Sequence, residues 1–254
     1  MLVLVKAYPQ PSQKYEETVC CAGINAQGEL LRLYPIRYRH LPPEKQFDRW
    51  DTLEFEATRP VGDPRPESRH VNEDTIAVVH RAKRASSDRH SAHWLPHVAP
   101  SLVALREANV ATGCTLGIVK PDPGSIRFRK RKLSRESVED AEFRKLFHQV
   151  SLIEESLPNL VVEYEFMYRF TSGGVSHDMK IHDWEVQAAY FAYKRKYGDQ
   201  ALAMLQKEYE EMIPQRNVHF VMGTMKAHPR QFIIIGLLRS ALSPEEVSRQ
   251  GSLL

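Results

Sequence analysis

The eleven residues Ser176–Val186, SHDMKIHDWEV, hold two histidines, three carboxylates, a lysine and a tryptophan. In extended backbone successive side chains point to opposite faces, so Asp178, Lys180 and His182 share one side and Met179 and Ile181 the other. Asp183 then stands where a helix N-cap would, with Glu185 in the first turn. A carboxylate beside an imidazole fixes its tautomer and raises its basicity. His177, Lys180, His182, Asp183 and Glu185 are therefore the candidate catalytic group. Two histidines with carboxylates could also hold a divalent metal, although the spacing follows no standard zinc motif and leaves the metal unknown. Asp178-Met179-Lys180, with Glu163 or Glu165 as an earlier acid, has the acid-x-lysine form of restriction-type nucleases, a triplet common by chance. The competing reading is structural: an N-cap Asp and a first-turn Glu are what any helix prefers, because its free amides and dipole attract negative charge.

Three further stretches carry positive charge. If Ile126–Leu133 (IRFRKRKL) is extended, Arg127, Arg129 and Arg131 form one stripe spanning about 13 Å at 3.3 Å per residue, comparable to two phosphate steps of a nucleic-acid strand. A solvated basic edge that resists aggregation is the alternative. Arg32, Tyr34, Arg37 and Arg39 cluster on a strand and the loop after it. Gly223–Arg230 places Thr224, Lys226 and His228 in a short loop between apolar runs, where they could grip a phosphate or a flipped base, or form a plain charged hairpin tip. Together these favour an anionic polymer, nucleic acid, as the partner. No phosphate-binding glycine loop, dinucleotide fingerprint or serine-hydrolase elbow is present.

The elements that must hold these groups read as follows. Met1–Tyr8 is a near-continuous apolar run, expected of a strand covered on both faces. Thr18–Ile24 and Leu30–Ile36 are strands joined by Asn25-Ala26-Gln27-Gly28. Trp50–Thr58, Ile76–Ala82 and Cys114–Val119 are further strands, and Pro100 opens a helix to about Asn109. Ser134 caps a helix to about Val150. Leu160–Phe170 is the clearest strand, with Tyr164, Phe166, Tyr168 and Phe170 on one face, and it should lie with Phe232–Leu238 at the centre of one sheet. Asp183 caps a helix with apolar spacing Val186, Ala189, Tyr190 and Tyr193, ended by Gly198, and a second helix runs to Pro214. The fold class is α+β: a curled antiparallel or mixed sheet, or a small barrel, with inserted helices. A soft boundary near Lys120–Gly124 suggests a β-rich region over 1–120 and an α+β region over 121–254, or one continuous domain.

The chain has 254 residues, 42% hydrophobic, with a formal net charge of +3, a globular composition with room for a sizeable core. No apolar run approaches the roughly 20 residues a bilayer span requires, so no membrane association is expected. Cys20, Cys21 and Cys114 lack both disulfide and metal-ligand spacing, which fits reduced thiols and a cytoplasmic location.

The segments Lys6-Ala-Tyr-Pro9, Arg32-Leu-Tyr-Pro35, Asp183-Trp-Glu185, Phe220-Val-Met-Gly-Thr224 and His228-Pro-x-x-Phe-Ile-Ile-Ile-Gly236 resemble those of a group of uncharacterised bacterial proteins of defence or mobile-element settings. The group has no assigned activity, so the resemblance carries no catalytic residue over. A barrel closing on Phe220–Gly223 and Phe232–Gly236 is also similar to PUA-like nucleic-acid modules, at the level of fold. The leading expectation is a protein that binds nucleic acid and acts on it, or on a base within it, by modification or hydrolysis. A non-catalytic reader or subunit of a defence complex is the second, and an enzyme of free nucleobases or nucleotides the third.

Overall fold

The structure is a computed structural model that describes residues 1–8, 10–12, 16–82, 90–134 and 163–240. The helix expected after Ser134, the segment before His90 and the tail after Ser240 lie outside the described residues. The first part of the chain gives β1 (Leu2–Lys6), β2 (Gln10–Ser12), β3 (Glu16–Ile24), β4 (Leu30–Ile36), β5 (Thr52–Glu54), β6 (Ala57–Thr58), β7 (Ser68–Val71) and β8 (Ala77–His80). After a short helix α1 (Ser91–Trp94) come β9 (Val98–Ala99), α2 (Leu102–Thr112), β10 (Leu116–Val119), β11 (Arg127–Lys132), β12 (Tyr164–Ser172) and β13 (Val175–Lys180). Helices α3 (Trp184–Tyr197) and α4 (Ala201–Gln206) lead into the long hairpin β14 (Val218–Met225) and β15 (His228–Arg239).

The fold is α+β, built on a strongly curled sheet of order β6-β7-β4-β3-β1-β5-β8, with β2 added to β3. It is mixed, since β4 and β7 run parallel. One face of this sheet closes on its own core, where Val3, Val19, Cys21, Leu33 and Ile36 meet Phe47 and Leu53. The other face carries Leu4, Val5, Ala22 and Ile24 onto Leu116, Ile118, Val221, Ile235 and Leu238. The apolar run at Leu2–Val5 thus has the two-sided burial its composition predicts.

A second sheet, β15-β14-β10-β9, is the middle layer. Along β14, Val221 faces the curled sheet while Phe220 and Met222 face the opposite way, and both sides are buried. The third sheet, β11-β12-β13, covers that opposite side. Its inner face presents Phe128, Phe166, Tyr168 and Phe170 to the middle layer and to α3 and α4, and Tyr168 stacks on Phe220 with centroids 5.1 Å apart. Strands β12 and β15 therefore belong to different sheets, not to one. The reason lies in the side-chain pattern. β12 is apolar on one side and carries exposed Arg169 on the other, so it can only lid a core, whereas a strand in a two-sided layer must be apolar on both.

Helix starts and stops follow their signals. Ser101 Oγ accepts from Ala104 N to cap α2, and Gly113 ends it at φ 77°, a left-handed value that favours glycine. Asp183 caps α3 by accepting from Glu185 N, and Gly198 ends it. After α4 the chain widens into a π-helical turn over Lys207–Met212 before Pro214. The strand expected over Trp50–Thr58 is two short strands, β5 and β6, which pair with different neighbours.

Candidate functional site

A cleft of about 350 Å³ opens between the curled sheet and the tip of the β14–β15 hairpin. Tyr8 enters it just past β1, Thr18 and Cys20 from β3, and Arg32 and Tyr34 from β4. Arg65 comes from the loop before β7, and His182 from the link between β13 and α3. Thr224 and Lys226 come from the end of β14, and Ile233 and Ile235 from β15. Strand alternation explains the pairings, since Thr18 and Cys20, Arg32 and Tyr34, and Ile233 and Ile235 each sit two residues apart.

Arg32 is 1% exposed and forms the floor. It donates to Ser68 Oγ at 3.3 Å, Thr115 Oγ1 at 2.8 Å and the Thr115 carbonyl at 2.9 Å. Glu67, which accepts from Thr115 N and Oγ1, supplies the counter-charge beside it. Arg65 pairs with Asp63 at 2.7 Å and donates to the Thr224 carbonyl at 2.7 Å, so it ties the loop before β7 to the hairpin. Burial pushes the Asp63 carboxyl up, but the side-chain and backbone hydrogen bonds from Arg65 outweigh it and hold the group down at about 2. Burial raises the Cys20 thiol, so at neutral pH it is an uncharged group rather than a thiolate nucleophile.

His182 reaches the cleft because its backbone is held on both sides. Its N–H donates to the Ile234 carbonyl and its own carbonyl accepts from Tyr8 N, each at 2.7 Å. Burial, then the positive charge of Lys180, lowers its pKa. Thr224 is buried and its Oγ1 has no hydrogen-bond partner among the described residues. Tyr34 is 38% exposed at the rim, and its hydroxyl lies 3.4 Å from Thr18 Oγ1.

The structure thus gathers Arg32, Tyr34, His182 and Lys226 in one cleft and places the other candidates elsewhere. Asp183, next in sequence to His182, points away from the cleft. It accepts from Glu185 N and Leu237 N and lies 3.7 Å from Arg49, and burial followed by the Glu185 charge pushes it up to about 7. Glu185 pairs with Arg49 at 3.1 Å on the wall of a second cavity, next to Trp184 and Lys6. The Lys6 ammonium sits 5.4 Å from the Trp184 ring and 4.2 Å from the Tyr38 ring, and donates to the Phe47 carbonyl at 2.6 Å. Ala7 and Asp183 form an isolated bridge, and Gly236 packs on Val5 so tightly that no side chain fits between them. Most of the segments singled out by resemblance therefore meet along one seam.

His177 faces inward against Phe170, with its Nε2 unpartnered among the described residues; burial, then the Arg106 charge, lowers its pKa. Arg127, Arg129 and Arg131 form an exposed stripe on the outer face of β11–β13, as the alternation predicts. Asp178 pairs there with Arg129, and Glu165 pairs with both Arg131 and Lys180. Arg127 and the neighbouring Arg169 have no carboxylate partner among the described residues. The acid-x-lysine residues are thus members of an ion-pair lattice on an open sheet. Arg37 pairs with Glu73 at 3.0 Å, Arg39 lies in the turn Tyr38–His40, and His228 is exposed at the start of β15. Among the described residues, no three His, Cys, Asp or Glu side chains gather to hold a metal ion, and no helix is long and apolar enough to cross a membrane.

Tyr8, Thr18, Cys20 and Arg65 are cleft residues that sequence reasoning missed. The local Asp63-x-Arg65 pair inside a proline-rich loop is the signal that marks Arg65 as anchored. A comparison with curated proteins finds no match to the chain. Two family models match it in succession: residues 1–96 fit "Domain of unknown function (DUF8758)", and residues 99–252 fit "Domain of unknown function (DUF8757)". The cleft takes residues from both segments.

Proposed function

The chain belongs to the family described as "Domain of unknown function (DUF8757)", and we propose that it binds nucleic acid, holding one nucleotide in the cleft while the phosphate backbone runs along the outer face of β11–β13. The observation that carries this reading is convergence. Arg32, Tyr34, His182 and Lys226 come from distant stretches and meet in one cavity. Its volume, about 350 Å³, lies at the small end of the ~300–1,000 Å³ typical of ligand sites. Tyr34, 38% exposed at the rim, can offer a ring to a base, and a base stacked on an aromatic side chain is held by roughly 1–3 kcal/mol. The cationic face is continuous with the cleft in sequence, since Lys180 lies on that face and His182 follows two residues later, within reach of its charge.

The test is binding of labelled single-stranded and duplex oligonucleotides at low salt. Tyr34→Ala is expected to weaken binding roughly 5- to 100-fold. Absence of binding by the wild-type chain, or unchanged affinity in the variant, removes this reading. Action on the bound base is a second reading, supported by the neutral His182 ring, whose nitrogens make no side-chain hydrogen bond among the described residues and can take a proton. Mass analysis of the oligonucleotide after incubation tests it: an unchanged base leaves a reader.

A further inference from the structure

We infer that the cleft takes the terminal phosphate of a nucleic-acid strand, a phosphate monoester seated on the floor between Arg32 and Arg65, with the base of that last nucleotide at the Tyr34 ring on the rim. This rests on the nucleic-acid reading above and names the part of the strand that the cleft holds.

Two buried guanidiniums line one cavity. Arg32 is 1% exposed and Arg65 6%, and the Arg65 charge acts on Arg32. A guanidinium has five N–H donors. Arg32 gives three of them to Ser68 and Thr115, which leaves its Nε–H and one Nη2 N–H without an oxygen partner among the described residues. Arg65 gives three to Asp63 and the Thr224 carbonyl, which leaves one N–H on each of Nη1 and Nη2. Charged donors left unpaired in a buried place are costly. An anion that accepts from both side chains removes that cost.

The charges point the same way. Asp63 pairs with Arg65 at 2.7 Å. No carboxylate pairs directly with Arg32 among the described residues, and Glu67 reaches it only through Thr115. Neither acid lines the cleft, whereas Arg32, Arg65 and Lys226 all do. Ala7, Ile233 and Ile235 make the walls apolar, and a charge pair is worth more there than in water. A phosphate monoester brings roughly two negative charges near pH 7, three acceptor oxygens and one connection to the rest of its strand. An internal diester has fewer of each and would have to lead two connections into a cavity of about 350 Å³. Tyr34 lies two residues from Arg32 on β4, about 7 Å at 3.3 Å per residue, so a phosphate on the floor leaves its own base near the rim. Lys226, exposed at the mouth, is placed for the next phosphate along.

The test measures binding of an internally labelled single strand of about 12 nucleotides, as DNA and as RNA, carrying a 5′ phosphate, a 3′ phosphate or hydroxyls at both ends. The full-length chain is expected to prefer a strand phosphorylated at one end by roughly tenfold or more, because charge-assisted hydrogen bonds are the strong ones. Inorganic phosphate should raise the melting temperature of the wild-type chain and displace the phosphorylated strand. Cys20 lines the cleft beside both guanidiniums, so Cys20→Asp puts a carboxylate where the phosphate would sit. That variant should keep or raise its melting temperature without ligand and lose the preference for a phosphorylated end. Lys226→Ala should weaken all strands alike and lower the salt slope. A wild-type chain that binds all three strands equally overturns the terminal phosphate. Inorganic phosphate that neither stabilises the wild type nor competes overturns the seat between Arg32 and Arg65, as does a folded Cys20→Asp chain with its preference intact. A free mononucleotide that binds as tightly as the phosphorylated strand overturns the strand end in favour of a free nucleotide. If no strand binds at low salt, the nucleic-acid reading itself fails, and that outcome is distinct from the others.

Discussion

His182 and Asp183 are neighbours with different environments. The His182 ring lines the cleft and makes no side-chain hydrogen bond among the described residues, whereas Asp183 ties the N-terminus of α3 to Leu237 and Arg49. His182→Ala is therefore expected to abolish specific nucleic-acid binding with little change in melting temperature. Asp183→Ala should cost about 2 kcal/mol or more, because it strips a helix cap and leaves the buried Leu237 amide unpaired. Equal thermal losses in the two variants would contradict this division. His219 provides a pH test. It is 3% exposed against Trp94, and burial lowers its pKa to about 4. The unfolded chain, with a histidine near 6.5, binds a proton that the native state refuses. Stability should therefore fall as pH drops from about 6.5 to 4, by up to roughly 3 kcal/mol from this residue. His219→Phe should flatten the melting temperature over that range, and an unchanged slope would refute the assignment. Alternation in the sequence placed Lys180 and His182 on one side. It could not show that β13 ends between them, so that one faces an open sheet and the other a cleft.

At the scale of elements, the outer sheet separates two roles along single strands. The inner face of β12 is core. Phe166 is 0% exposed and stacks near Phe128 and Tyr190, so Phe166→Ala should cost about 3–5 kcal/mol by chemical denaturation. The outer face is a lattice in which carboxylates only partly offset arginines. Replacing Arg127, Arg129 and Arg131 together with Ala is expected to weaken binding similarly for all sequences. The salt slope should fall by about one unit for each phosphate the stripe no longer neutralises. Unchanged binding at both low and high salt would mark the stripe as a solvated edge. The period-two pattern made both faces of β11 and β12 legible. The ion-pair partners Asp178 and Glu165 were not, because register between strands separated by a long connection leaves no local trace.

For the whole molecule, composition and pattern made the α+β class and the two-sided first strand legible. The three-layer order was not, since it depends on which apolar faces meet. The seam between β1 and β15 shows how closely they meet. A methyl group on Gly236 would collide with Val5, so Gly236→Ala should cost about 1–3 kcal/mol and weaken ligand binding with it, as the cleft opens at the same seam. Calorimetry with and without ligand would check this; a variant as stable as wild type would show that the seam can give way.

The cleft draws its walls from Ala7 to Ile235, nearly the full span of the described chain. During synthesis the floor residue Arg32 emerges well before the back wall, Ile233 and Ile235. Loop closure over so many residues places the site among the last features to form. Any ligand of the cleft would then be captured only by the completed fold, and by mass action it would hold the segments around Ala7 and Ile235 together in the native state.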